Sequence, residues 1–113
     1  MNCVPKALAT LIKDTNDWWE FHEILLARYG KTDDGWTDLQ MVVVAAMYGY
    51  YLTPFVEKVD KLGFLEHYYG TDGILVGTTD KGQPHAIAKR NGQWDGTNFP
   101  HYDRIFYSCG NRK

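Results

Sequence analysis

Cys3, His85 and Asp95 are the residues of this chain that could perform nucleophilic catalysis together. Cys3 stands at the start of a run of apolar residues with helical spacing. The first N–H groups of a helix have no intrahelical partner, and together with the helix dipole they favour the thiolate, the nucleophilic form of cysteine. The alternative roles of Cys3 are a small buried core residue or a disulfide bond to Cys109.

A cysteine nucleophile needs a base, and the base needs a third group that orients it. In the segment PHAIAKRNGQWDGTN, His85 opens a strand-type run that is followed by an Asn-Gly pair, the strongest short signal for a β-hairpin. A regular hairpin places Asn98 opposite His85, whereas a β-bulge would bring Asp95 beside it. Both residues are therefore candidates for orienting His85, and Asp95 is the first choice.

The elements that must position these residues begin with helices. Apolar spacing and capping signals predict four of them, at about 3–14, 17–29, 37–49 and 53–63. Asn2 is a good N-cap for the first helix. Capping-box patterns, Asp17 with Glu20 and Thr37 with Gln40, mark the starts of the second and third.

The fourth predicted helix is short and depends on three residues. Thr53 is its expected cap, Pro54 its first residue and Gly63 its end. After it the pattern changes to strand-type runs, namely FLEHYY, ILVGTT, HAIAKR and RIFYSC, separated by the turn segments GTDG, DKGQP and NG. Helices followed by an antiparallel sheet predict an α+β fold, with the helices on one side of the sheet. The length of 113 residues fits a single domain spanning 1–113.

The composition excludes several classes of function. A net charge of -2, without a long run of one sign, argues against a nucleic-acid-binding protein. No segment approaches the roughly 18 apolar residues of a membrane span, and the first residues lack the apolar stretch of a secretory signal. We therefore expect a cytoplasmic protein with reduced cysteines that binds neither nucleic acid nor membrane. The spacing of its histidines and cysteines does not fit a zinc site, so we expect no metal or other cofactor.

The order cysteine, histidine, carboxylate resembles the papain-like cysteine peptidase superfamily in a minimal form. The sequence is most similar to small, bacteriophage-encoded members, through NCVPKALA at its start and GILVGTTDKGQPHAIAKRNGQWDG near its end. The resemblance implies a papain-like fold in which Cys3 is the nucleophile, His85 the base and Asp95 the orienting residue. Papain-like enzymes also place an oxyanion-binding glutamine several residues before the cysteine. Only Met1 and Asn2 precede Cys3 here, so the Cys3 N–H and the side chain of Asn2 or Gln83 are the expected donors.

Three functions are compatible with these features. The first is a cysteine hydrolase (a thiol peptidase, isopeptidase or amidase) with a protein or peptide substrate, acting in the host cytoplasm if the chain is phage-encoded. The second is a papain-like binding module that engages a host or partner protein without turnover. The third, a cell-wall amidase, is disfavoured because the sequence contains no export signal or wall-binding module. The acidic segment KTDDGW is interpreted as a solvated turn.

Overall fold

The structure, a computed structural model, describes residues 2–55 and 72–112. Within these ranges three N-terminal helices precede a five-stranded antiparallel sheet, which confirms the predicted α+β fold. The helices are α1 (Cys3–Lys13), α2 (Trp19–Tyr29) and α3 (Asp38–Met47). The strands are β1 (Tyr50–Phe55), β2 (Gly73–Thr78), β3 (Pro84–Arg90), β4 (Gln93–Trp94) and β5 (Tyr102–Arg112). Their order across the sheet is β1-β5-β2-β3-β4.

The capping box predicted for α3 is confirmed. The N–H of Gln40 donates to the Thr37 hydroxyl at 3.2 Å, and the N–H of Thr37 donates to the Gln40 side chain at 2.9 Å. At α1, by contrast, Asn2 occupies the N-cap position but makes no side-chain capping bond. The expected capping bond of Asn2 is therefore wrong, and its side-chain amide is not used to close the helix.

The capping box predicted for α2 is wrong. The helix begins at Trp19, whose N–H donates to the Asp17 carboxylate at 3.3 Å. Glu20 is engaged elsewhere, because its carboxylate accepts hydrogen bonds from Lys13, at 2.8 Å, and from the Tyr48 hydroxyl. These bonds join the end of α1 to the end of α3, so tertiary contacts use the side chain that the local pattern assigned to a cap.

The predicted fourth helix is wrong at its start, because Thr53 and Pro54 belong to β1. They pair with Ser108 and Tyr107 of β5, respectively. Proline lacks an N–H and breaks the ladder of a central strand, but β1 lies at the edge of the sheet, where proline is tolerated. The rest of this prediction, together with the predicted strand at 64–69, lies outside the described residues.

The predicted hairpin joins β3 to β4. Asn91 and Gly92 have φ values of 54° and 79°, as both central residues of a type I′ turn require. The paired residues are those expected for a two-residue turn, Arg90 with Gln93 and Lys89 with Trp94. One further bond, from the N–H of Asp95 to the carbonyl of Ala88 at 2.8 Å, continues this regular register beyond β4.

The two faces of the sheet bury different sets of residues. The helix face contributes Ile74, Val76, Ala86, Ala88 and Tyr107 to a core shared with α1, α2 and α3. The outer face carries a smaller cluster of Leu75, Ile87 and Phe106, against which Trp94 and Phe99 pack. Lys89 is buried on this outer face with its ammonium 5.8 Å from the Trp94 ring centroid, and burial lowers the pKa of Lys89.

Packing of α1 on β3 sets the position of Cys3. The small side chains of Ala86 and Ala88 face α1 and allow it to lie close to the strand. At the end of β3, Arg90 donates from Nη1 to the carbonyl of Leu11 at 2.6 Å, in the last turns of α1. The helix and the strand therefore run side by side, with the C-terminal turns of α1 beside the end of β3.

Enlarging Ala88 tests this packing. Ala88 is fully buried on the face that α1 covers, so Ala88→Leu should lower the free energy of unfolding by about 1–3 kcal/mol through overpacking. Ala27 is exposed on α2, and the same enlargement there should change stability by less than about 0.5 kcal/mol. Urea denaturation of both variants measures the difference, and equal effects would contradict close packing of α1 on β3.

Candidate active site

Cys3 and His85, from opposite ends of the chain, line the same two adjoining cavities. The first, of about 200 Å³, also has Asp34, Asp38 and Asp103 in its wall and is called the acidic cavity below. The second, of about 400 Å³, also contacts Lys6, Ala7 and residues 95–98 and is called the edge cavity. Cys3 and His85 line the same cavities because α1 and β3 run parallel, so that the start of the helix lies beside the start of the strand.

The edge cavity forms where the hairpin stops covering β3. β4 pairs only with Lys89 and Arg90, so the first half of β3 borders residues 95–98 as they leave the sheet. His85 alternates with Ala86 along β3 and shares the outer face with Ile87, whereas Cys3 lies on the helix side. Both cavities include Cys3, His85 and Ala86, so they wrap around the start of β3.

The N-terminus of α1 surrounds Cys3 with backbone donors. The first intrahelical bond joins the N–H of Lys6 to the carbonyl of Asn2 at 3.0 Å. The N–H groups of Cys3 and Val4 precede it and have no intrahelical acceptor. The first turn of α1 carries no acidic residue that would oppose the helix dipole. This end of the helix is therefore suited to bind an anion, such as an oxyanion that develops beside it.

Asn2 and Gln83, the two side chains expected to bind the oxyanion, lie in different places in the structure. Asn2 lines the edge cavity with Cys3, and its amide makes no capping bond. Gln83 is exposed in the turn before β3, where its N–H donates to the Thr79 hydroxyl at 3.2 Å and its carbonyl accepts the Thr79 N–H at 2.8 Å. Gln83 does not contribute to the wall of either cavity. The geometry therefore favours Asn2 as the side-chain donor.

Asp95 and Asn98 both line the edge cavity with His85. The Asp95 carboxylate accepts a hydrogen bond from the Thr10 hydroxyl at 3.0 Å, about two turns along α1 from Cys3. The register of the hairpin is regular as far as the Asp95 N–H, without the bulge that would turn Asp95 towards His85. The ladder ends at Trp94, and no pairing beyond it places Asn98 opposite His85. Asp95 as the orienting residue stays a prediction, with Asn98 as the alternative.

Sequence reasoning missed the acidic side of the site. Asp34 and Trp36 come from the segment interpreted as a solvated turn, and both line the acidic cavity with Cys3. Gly30 and Gly35 have φ values of 79° and 82°, a conformation that suits glycine, and they set the path of this loop. These two glycines were the local sign that the loop has a defined conformation. The approach of the loop to Cys3, by contrast, depends on the tertiary fold.

Asp38 and Asp103 complete the acidic side from two other elements. Asp38 opens α3, and its carboxylate accepts a hydrogen bond from the Tyr107 hydroxyl at 2.9 Å. Burial and this carboxylate raise the pKa of Tyr107 to about 12, so Tyr107 keeps its proton at neutral pH. Asp103 lies near the start of β5 at a φ of 51°, where the pairing with β2 is irregular.

Neither of the other two described histidines, His22 and His101, lines the acidic or the edge cavity. His22 packs edge-on against Trp18, Trp19 and Trp36 with ring centroids 5.5–6.3 Å apart. His101 is exposed and donates its N–H to the carbonyl of Thr78 at 2.9 Å, and His67 lies outside the described residues. In residues 2–55 and 72–112 no three His, Cys, Asp or Glu side chains are grouped to hold a metal ion, and no helix there could cross a membrane.

Comparison of the chain with models of protein families, with curated proteins and with solved structures found no match. The resemblance of the sequence to papain-like peptidases therefore stays a prediction.

Alkylation tests the state of the two cysteines. Cys3 and Cys109 are both thiols with no disulfide bond between them, in agreement with the sequence prediction. Treatment with iodoacetamide in the absence of reductant should add two labels, with Cys3 modified first because it lines two cavities. Intact mass and peptide mapping measure the labels. A mass two daltons short, without alkylation, would show that the cysteines are bonded.

Proposed function

We propose that this chain is a cysteine hydrolase that cleaves a peptide, isopeptide or side-chain amide bond in a protein or peptide substrate. The observation that carries the proposal is the meeting of Cys3, at the N-terminus of a helix, with His85 in the walls of two shared cavities. A nucleophile and a base that line the same cleft supply two of the groups that acyl transfer requires.

The residues at the site fit the first half of such a reaction. The Cys3 sulfur attacks the carbonyl carbon of the substrate while His85 takes the thiol proton. The carbonyl oxygen becomes an oxyanion, which accepts hydrogen bonds from the Cys3 N–H and the Asn2 side chain. The C–N bond then breaks, His85 gives its proton to the departing amine, and the acyl group stays on Cys3 as a thioester.

Water completes the reaction. His85 takes a proton from a water molecule, whose oxygen attacks the thioester carbon. The C–S bond breaks, the substrate leaves as a carboxylic acid, and the proton on His85 returns to the Cys3 sulfur. Asp95 or Asn98, beside His85 in the edge cavity, would hold the imidazole in the required tautomer through both halves.

The position of His85 sets one requirement for this chemistry. His85 is half-buried at the second residue of β3, so its imidazole must reach the Cys3 thiol around the start of the strand. Catalytic hydrogen bonds are often long in the absence of substrate and shorten when it binds. The chemistry therefore predicts that His85 controls the reactivity of Cys3, a property that can be measured without knowing the substrate.

The rate of alkylation of Cys3 tests this coupling. The rate at which iodoacetamide modifies Cys3 is measured between pH 5 and 9. At near-neutral pH this rate should be at least about tenfold higher in the wild type than in His85→Ala, because an adjacent imidazolium favours the thiolate. His101→Ala is the matched control and should leave the rate unchanged, and Cys109 serves as the internal reference. Equal rates in the wild type and His85→Ala would instead favour a binding module without catalysis.

Turnover of peptide substrates tests the assignment of roles. On fluorogenic peptide libraries, Cys3→Ala and His85→Ala should each abolish hydrolysis while leaving the melting temperature nearly unchanged, because both side chains are only partly buried. Asp95→Ala should retain less activity than Asn98→Ala if Asp95 orients His85. The reverse ranking would assign that role to Asn98. Thr10→Val removes the hydrogen bond to Asp95 but keeps the carboxylate. Comparison with Asp95→Ala therefore separates the loss of the position of Asp95 from the loss of its charge.

A further inference from the structure

The acidic cavity has room for about one side chain next to the proposed nucleophile. Its volume of about 200 Å³ is below the roughly 300–1,000 Å³ of pockets that enclose whole small-molecule ligands. Cys3 and His85 form part of its wall. A side chain that occupies it would therefore belong to a residue at, or next to, the bond that Cys3 attacks.

Aspartates from three separate elements line this cavity. Asp34 comes from the loop after α2, Asp38 from the first turn of α3, and Asp103 from β5. Among the described residues that line it, none is a lysine or arginine. Tyr107, which donates to Asp38, is neutral and leaves the charge of that carboxylate in place. The side chains that line the cavity therefore include three aspartates and, apart from the imidazole of His85, no basic group.

The indole of Trp36 adds a second, independent feature to the same wall. The face of an indole attracts ammonium and guanidinium groups, and a carboxylate binds them through charge-assisted hydrogen bonds. An apolar side chain would make no polar contact with the exposed carboxylates of Asp34 and Asp103, and an acidic side chain would be repelled by them. A metal ion is a poor occupant, because the described residues offer no three-ligand group and an indole is not a metal ligand.

The edge cavity, on the other side of Cys3, has a different charge. Its wall includes Lys6 as well as Asp95, so the two signs are balanced there. The preference for a cation is therefore confined to one side of the nucleophile. Such a one-sided preference is what selects a particular residue in a peptide substrate, rather than a generally basic surface.

We propose that the acidic cavity binds the side chain of a substrate lysine or arginine, so that Cys3 attacks an amide bond at, or one residue from, that basic residue. The inference rests on the proposed hydrolase function and adds a substrate class to it. Asp34 and Asp103 determine this specificity, with Trp36 beneath the aliphatic part of the basic side chain.

Peptidyl chloromethyl ketones provide the test, because Cys3 displaces chloride and forms a stable thioether whatever the natural substrate. Two sets of probes are compared. Within each set the probes differ in a single residue, which is lysine, norleucine or glutamate. This residue lies next to the ketone in the first set and one residue further away in the second. The rate of labelling of Cys3 is measured by intact mass on the full chain. In at least one set we expect the lysine probe to react about tenfold faster than norleucine, with glutamate slowest.

Charge-removing variants assign the preference to this cavity. Asp34→Asn and Asp103→Asn should each reduce the lysine-to-norleucine rate ratio about two- to fivefold, as expected for ion pairs near solvent. Asparagine tolerates the left-handed conformation of residue 103, so the backbone is retained. Asp33→Asn, an exposed neighbour that does not line the cavity, is the matched control and should leave the ratio unchanged.

The outcomes separate this inference from the proposed function. Equal rates for lysine and norleucine in both probe sets would overturn the inference, as would a ratio that Asp34→Asn and Asp103→Asn leave intact. His85→Ala should slow all probes equally, because the ratio depends on the cavity and the absolute rate on the base. A normal ratio with no effect of His85→Ala would retain the cation site and reject the hydrolase.

Discussion

The packing of α1 on β3 is the contact on which the rest of the site depends. Two alanines of β3 let the helix approach closely, and Arg90 ties the end of the strand to the last turns of the helix through the carbonyl of Leu11. Because helix and strand run side by side, the start of one meets the start of the other. That alignment brings Cys3, on the helix side, and His85, on the outer face, to the walls of the same two cavities, although neither residue has any local relation to the other.

The end of β4 forms one border of the edge cavity. After Trp94 the chain leaves the ladder, and Phe99 packs with Trp94 on the outer face of the sheet. Close packing continues at Gly77, where any Cβ would stand 2.7 Å from the carbonyl oxygen of Tyr102. The outer face is thus held by apolar contacts, while residues 95–98 border the edge cavity beside His85.

Charge divides the cleft on either side of Cys3. Carboxylates from a loop, a helix and a strand gather on one side, whereas a lysine and an aspartate share the other. The helix N-terminus at Cys3 is itself positive in character and favours an anion beside it. The side of the cleft that is lined by aspartates therefore lies next to a helix end of opposite polarity.

The sequence by itself determined the features that depend on neighbours a few residues apart. The start of α1 at Cys3, the capping box of Thr37 and Gln40, and the Asn-Gly hairpin follow from local hydrogen bonds and backbone conformations. The order of helices before an antiparallel sheet followed from the change in apolar spacing. Tertiary structure decided the rest: Pro54 lies in an edge strand because β5 pairs with it, against its local helical signal. Likewise Asp34, Asp38 and Asp103 face one cavity with Cys3 only because packing between distant elements, which no local pattern encodes, brings them there.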